Sequence, residues 1–350
     1  MCAGRSICAP AAWSAERRAA RRDRRGGAGL LVTLLCTVRG CAGPLALRGP
    51  SGPGGGTGLG ATADSNGMTG ANGTAGESTK GGRALVCPRG HRFDLARSGY
   101  CNLLQPQDRR SRQPGDPPAA VAARRRLFDR GLGDWLIPHL MAVFDQLRLP
   151  AGAAVLDVGC GEGFHLGTLA RLRIIEAHGL DLAAGAIDLA ARRHPGATWV
   201  VANADRFLPY AGGAFALALS LTSRLNPGEL RRVLAPPAAP PAPAAAGGVL
   251  LAALPGADDL IELRAAVLGE GLRRDRLPAA IARLAGDFEL AGHTTATHRL
   301  RLEGDDLRDL LTSTYRGARE RQRQEAAALA AMELTLSRDL AWFRPRRRPL

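Results

Sequence analysis

The sequence predicts an α/β fold: a Rossmann-like, mostly parallel sheet with helices on both faces, preceded by a small module held together by a metal. Three observations carry this. From Ala153 onward, short apolar strands alternate with helix-length amphipathic segments, as βαβ units require. A glycine-rich turn follows the first of those strands. Upstream, two pairs of metal-ligand residues lie in a module too small to fold on core burial alone.

Taken in chain order, residues 1–28 read as a disordered Arg/Ala-rich extension. Residues 29–105 form the metal-binding module. It is interrupted at 49–82 by a Gly, Ser, Thr, Ala and Asn stretch that buries too little apolar surface to offset its ordering entropy. A helical connector spans 106–150, with Leu127, Phe128, Leu132, Trp135, Leu136 and Leu140 giving a broken apolar stripe. The sheet domain occupies 151–350. Its strands are expected near 153–158, 175–180, 198–202, 215–220 and 248–254, and its helices near 164–172, 184–193, 227–234 and 258–268. The Pro/Ala run 236–246 reads as a surface insertion. The tail, 318–340, reads as a helix carrying Leu329, Met332, Leu334 and Leu336, and arginines 344–348 close the chain.

The turn Val155-Leu-Asp-Val-Gly-Cys-Gly-Glu-Gly163 is the most informative segment. Gly159, Gly161 and Gly163 lack the Cβ atoms that would hold a ligand away from the backbone, and Asp157 closes the strand. The next strand ends in Asp181, 18 residues beyond Gly163, where a carboxylate can accept both hydroxyls of a ribose. The spacing Gly-x-Gly-x-Gly, in place of the dinucleotide Gly-x-Gly-x-x-Gly, favours S-adenosylmethionine. A purely structural alternative makes Asp181 a cap for the helix starting near Ala184.

Cys36-x4-Cys41 and Cys87-x3-His91 together supply a tetrahedral ligand set of the kind zinc prefers. Gly40 and Gly90 precede the second ligand of each pair, where the chain must turn tightly. The 45 residues between the pairs are tolerable, because closure entropy grows only logarithmically with loop length. The alternative is free buried cysteines and a surface histidine. Cys101 reads as a small core residue.

Composition narrows the partners. The formal net charge of +15, from 47 basic and 32 acidic residues, favours a polyanion. Lys80 is the only lysine, so part of this basicity reflects an arginine-rich composition as a whole. Seven unevenly spaced cysteines do not make a secreted disulfide scaffold. No apolar run of the necessary length, about 18 residues, suggests a membrane span. The apolar run at Gly29–Cys36 mimics a signal peptide but is only about seven residues long, so a cytoplasmic location is expected.

Further motifs carry a family resemblance. Cys87-Pro-x-x-His91-x-Phe93-Asp94 is followed by Gly99-Tyr100-x-Asn102-Leu103-Leu104; then come Arg110-Ser111-Arg112-x-Pro114-Gly115-Asp116 and Ala123-Arg124-Arg125. Toward the end stand Arg299-Leu300-Arg301-Leu302-x-Gly304-Asp305 and Thr314-Tyr315. In these segments the chain resembles the zinc-containing 23S ribosomal RNA guanine-N1 methyltransferases, a family with macrolide-resistance members. It departs from the family in the four-residue interval of its first cysteine pair and in its two insertions. It also has Ala204 at the usual adenine-side acidic position, which leaves the flanking Asn203 and Asp205 as the adenine-side candidates.

The resemblance implies a zinc ion held by Cys36, Cys41, Cys87 and His91, and S-adenosylmethionine as methyl donor. It also implies N1 of a guanine in a 23S ribosomal RNA hairpin as acceptor, and a homodimer. It makes the zinc module and Arg109, Arg110, Arg112, Arg124 and Arg125 the RNA platform. The loop Ser220–Pro227 after the fourth strand is expected to line the acceptor pocket through Thr222, Ser223 and Arg224, or else to be an ordinary loop in which Asn226 caps the next helix. Two other readings stay open: a small-molecule S-adenosylmethionine methyltransferase, and a catalytically idle zinc-stabilised RNA-binding protein.

Overall fold

A computed structural model describes residues 32–48, 83–108, 114–221, 223–237, 247–269, 271–314 and 331–347. The expectations for 1–28, for 49–82 and for most of 236–246 fall outside the described residues, as do those for Arg109, Arg110, Arg112, Thr222, Tyr315 and Leu329.

Three short strands, β1 (Ala46–Arg48), β2 (Ala84–Val86) and β3 (Arg92–Asp94), form an antiparallel sheet around the cysteine pairs. The chain then enters the main sheet through β4 (Cys101–Asn102), which pairs in parallel with β7 (Thr198–Val201). The module is therefore fastened to the sheet edge. Leu34 bridges Tyr210, and the Leu35 amide donates to Pro209 O at 3.0 Å. Cys36, Cys87, Phe93 and Cys101 share one buried cluster with Leu156, Leu180 and Phe215 of the main domain, so Cys101 is the small core residue its sequence context suggests.

The connector comprises α1 (Pro118–Asp129), a 3-10 turn at Asp134–Leu136 and α2 (Ile137–Leu147). Gly131, at φ +92°, ends the first helix in a conformation that disfavours side chains with a Cβ. The main domain follows as β5 (Ala153–Val158), α3 (Phe164–Leu172), β6 (Ile175–Asp181), α4 (Ala184–Arg193), β7, β8 (Leu217–Leu221), α5 (Pro227–Val233) and β9 (Val249–Pro255). Then come α6 (Ile261–Leu268), α7 (Leu277–Leu284), β10 (Phe288–Glu303), α8 (Gly304–Thr314) and β11 (Ala331–Pro345).

The eight-stranded sheet runs β10-β11-β9-β8-β5-β6-β7-β4, with β4 to β9 parallel. Central strands such as Val249-Leu-Leu-Ala-Ala253 are buried on both faces, which is why they read as continuous apolar runs.

The tail corrects the sequence reading. Residues 331–345 form a strand where a helix over 318–340 was expected. Met332, Leu334 and Leu336 alternate at period two. β11 is inserted between β10 and β9, so it gains a hydrogen-bond ladder on each side that outweighs the helix propensity of the flanking Arg, Glu and Ala. Leu334 and Leu336 are buried against Leu263, Leu307 and Leu310. β11 pairs with β9 only through Arg338–Phe343, yet with β10 from Ala331 to Pro345. One end of the β10–β11 ribbon therefore overhangs the carboxyl end of β9. Among the described residues no helix is long and apolar enough to cross a membrane.

Candidate functional site

The glycine turn sits at the carboxyl end of β5, where loops of a parallel sheet converge on ligands. Its three glycines do different things. The Gly161 amide donates to Asp181 Oδ2 at 2.9 Å, tying the turn to the end of β6. A Cβ on Gly163 would lie 2.5 Å from the Trp199 ring, so this glycine serves helix-to-sheet packing. A Cβ on Gly159 would lie 2.4 Å from Ser223 Cβ. Ser223 is thus packed against the turn, and its hydroxyl donates to Val158 O at 2.7 Å and contacts Ser220 Oγ at 2.7 Å.

Asp181 accepts from the Gly161 and Ala183 amides, one on each oxygen. Each carboxylate oxygen carries two lone pairs, so acceptor capacity remains. Asp157 is buried with Oδ1 unpartnered, and burial together with the neighbouring Asp181 pushes its carboxyl up to about 7. Asn203 is buried; it donates to Asp108 O at 3.0 Å and accepts the Asp205 amide at 3.1 Å. Asp205 faces Arg224 at 3.4 Å, and Arg224 is otherwise exposed. Asn226 accepts the Glu229 amide at the start of α5, so it does cap that helix.

Arg124 departs from its expected place. It turns inward over the glycine turn instead of joining an RNA-facing surface. Its guanidinium pairs with Asp116, lies 3.9 Å from Glu162 Oε2, and would be 3.3 Å from a Cβ on Gly161. Gly115, at φ +86°, sits where a Cβ would be 2.7 Å from the Ala183 amide. The connector therefore closes over the turn beside both the glycines and Asp181. Arg125 instead pairs with Asp129 along α1.

Glu162 was missed in the sequence reading. Only 2% of its side chain is exposed, neither oxygen has a hydrogen-bond partner, and burial raises its pKa. The available signal was an acid placed between two turn glycines. His165, at the start of α3, is half-buried, and its desolvation pushes it down to about 4 and keeps it neutral. Arg124 interacts with Asp116, Glu162 and Asp181, and Asp181 in turn with Asp157, so four acids converge around one arginine. Such a site favours a ligand with positive charge, as S-adenosylmethionine has on its sulfonium and its amine.

The second site is in the N-terminal module. One ligand atom from each of Cys36, Cys41, Cys87 and His91 lies within 4.8 Å of the others. His91 Nδ1 is 3.4 Å from both Cys36 Sγ and Cys87 Sγ, and Cys41 Sγ is 3.7 Å from Cys87 Sγ. A tetrahedral zinc bound by three sulfurs and a nitrogen has edges of about 3.4–3.8 Å. The four residues fit zinc, and the longer Cys36-x4-Cys41 interval does not prevent closure. Burial raises the Cys36 thiol, so a dication is what would hold it as thiolate.

Two family models match the chain: "Methyltransferase domain" over residues 155–236 and "RlmA, N-terminal", a zinc ribbon, over 78–112. The 23S rRNA (guanine(748)-N(1))-methyltransferase of Streptomyces fradiae is 35% identical over 277 residues, covering 75% of this chain and 91% of that protein. A Micromonospora griseorubida protein, whose name proposes the same class of reaction, is 33% identical over 285 residues with the same coverage. The crystal structure of the YcgJ protein of Bacillus subtilis covers 60% of this chain and 98% of its own at 15% identity, with a TM-score of 0.36. On the strength of these relatives and the two sites, the chain belongs to the zinc-ribbon 23S ribosomal RNA guanine-N1 methyltransferase family.

Proposed function

We propose that this protein transfers a methyl group from S-adenosylmethionine to N1 of a guanine in a 23S ribosomal RNA hairpin. The observation that carries the reading is the joining of two sites in one body. A glycine turn of the methyltransferase type and a Cys3His cluster with its own small sheet are joined, because β4 leads directly from the metal module into the β7 edge of the main sheet.

In this reading Asp181 takes the ribose hydroxyls, and Asp157 and Glu162 face the positively charged methionine end of the cofactor. Arg124 balances those acids and orients the cofactor's carboxylate. Asn203 and Asp205 bound the adenine side. S-adenosylmethionine supplies an already electrophilic methyl, so the protein's work is to align the acceptor nitrogen and exclude water. Ser223 supports the turn from beneath. Arg224 takes the acceptor side, where it offsets charge developing on guanine O6 as the N1 proton leaves, and Thr222 keeps the acceptor-pocket role expected of it from the sequence. The zinc module and the other connector arginines, Arg109, Arg110, Arg112 and Arg125, are assigned to the hairpin phosphates. The expected homodimer is checked by light scattering, and a ribosomal RNA substrate places the enzyme in the cytoplasm.

N1-methylation blocks Watson–Crick pairing, so reverse transcription of treated 23S RNA tests the proposal. A stop at one guanine that requires both protein and S-adenosylmethionine is expected. Read-through at every guanine, with cofactor bound and zinc present, would contradict it.

A further inference from the structure

A cavity of about 180 Å³ opens where the last turn of α1, the Asp134–Leu136 turn, the overhanging end of β10 and the start of α8 meet. Its floor is apolar, from Leu127 and Leu300. On one side the half-buried Trp135 indole and the exposed His298 imidazole lie nearly parallel, 12° apart in plane, with centroids separated by 6.0 Å. On the other, Arg130 pairs with Asp306 and donates to Asp309 at 2.8 Å. The cavity therefore offers aromatic faces, a dry floor, and a rim with both a donor and an acceptor.

Its position matters as much as its lining. Leu127 is one helical turn beyond Arg124, the residue that covers Gly161. The neighbouring Phe128 packs on Phe164, which follows Gly163, with ring centroids 4.5 Å apart. The cavity thus flanks the cofactor turn, under the part of the β10–β11 ribbon that overhangs the carboxyl end of β9. An unpaired nucleobase has the matching chemistry: two flat faces that stack and an edge that both donates and accepts.

We propose that this cavity is a stacking subsite for an unpaired base of the substrate RNA, with Trp135 and His298 as its platform. The inference rests on the ribosomal RNA reading above. Guanine N1 is occupied in a Watson–Crick pair, so the target must be unpaired or flipped before it can react. A platform beside the cofactor turn holds the opened strand in that state.

The test is single-turnover methylation of a 23S ribosomal RNA transcript by Trp135→Leu, Trp135→Phe, His298→Ala and His298→Tyr. S-adenosylmethionine affinity and zinc content are measured on the same preparations. Stacking on aromatics is substantial enough that Trp135→Leu and His298→Ala should each lower the subsaturating rate about tenfold or more. Trp135→Phe and His298→Tyr should keep most of it, with cofactor affinity and zinc unchanged in all four. Rates for His298→Ala and Trp135→Leu within twofold of the parent would overturn the subsite. So would a Trp135→Phe protein as slow as Trp135→Leu, because an aromatic ring would then be irrelevant. Absence of methylation by the parent protein itself would instead overturn the ribosomal RNA reading.

Discussion

The Arg124 guanidinium lies 3.9 Å from the Glu162 carboxylate, which joins the connector helix to the cofactor turn. Glu162 is buried, and neither of its oxygens has a hydrogen-bond partner, so the arginine is its nearest source of compensation. In the proposed reading the connector is thereby a wall of the cofactor site as well as a spacer between two modules.

Removing the arginine tests that role. Arg124→Ala removes the cation beside the buried Glu162, and stranding buried charge in this way is strongly destabilising. The expected result is a lower melting temperature and S-adenosylmethionine affinity reduced by about tenfold or more, read by calorimetry. Arg124→Lys should recover only part of this, because an ammonium cannot reproduce the fork of donors. Unchanged cofactor affinity in Arg124→Ala would separate the connector from the cofactor site.

The glycines of the turn should fail differently. Gly163→Ala would place a Cβ 2.5 Å from Trp199 at a φ of +76°, so a stability loss of about 1–3 kcal/mol is expected in denaturant melts. Gly161→Ala meets only the Arg124 side chain, at 3.3 Å, and adopts φ +57°. Its larger effect should be on cofactor affinity. Equal losses of stability in both variants would refute this division.

Acid burial predicts a pH dependence. The folded-state value of Asp157 is raised to about 7 from 3.8, so the folded protein binds more protons than the unfolded chain between those values. The contribution of this group to stability is present in full below about pH 4 and is lost as pH rises through about 7. A cationic ligand favours the ionised form, so S-adenosylmethionine should bind more tightly as pH rises from 6 to 8 and release protons on binding. Titration calorimetry in buffers of different ionisation enthalpy measures that release. A binding enthalpy independent of buffer would contradict it.

Metal removal gives a separate prediction. Cys36 and Cys87 belong to the same buried cluster as Leu156 and Leu180, so loss of zinc should propagate into the sheet edge. Cys87→Ala should lose one equivalent of zinc by elemental analysis, abolish methylation of ribosomal RNA, and lower the melting temperature. Full methylation of ribosomal RNA by a zinc-free variant would contradict a role for the metal module in the reaction.

Some of this was legible in the sequence for identifiable reasons. Strands such as β5 and β9 are buried on both faces, so their apolar runs are unbroken, and the glycine turn marks the end of β5. The ligand pairs of the metal site are local, with Cys36 near Cys41 and Cys87 near His91, and only their meeting needed the fold. The strand at Ala331–Pro345 was not legible, because its ladders come from β9 and β10, far away in sequence, while its amino-terminal flank is rich in helix formers. Arg124 read as a surface cation for the same reason. Its partner Glu162 comes from another element, and sequence spacing does not report that approach.

The most direct measurement is nucleoside mass spectrometry of unmodified 23S ribosomal RNA incubated with the protein and S-adenosylmethionine carrying an isotopically labelled methyl group. The account predicts labelled N1-methylguanosine, approaching one per RNA molecule, and no other labelled nucleoside. Absence of any labelled nucleoside, in a preparation that binds the cofactor and contains zinc, would contradict it.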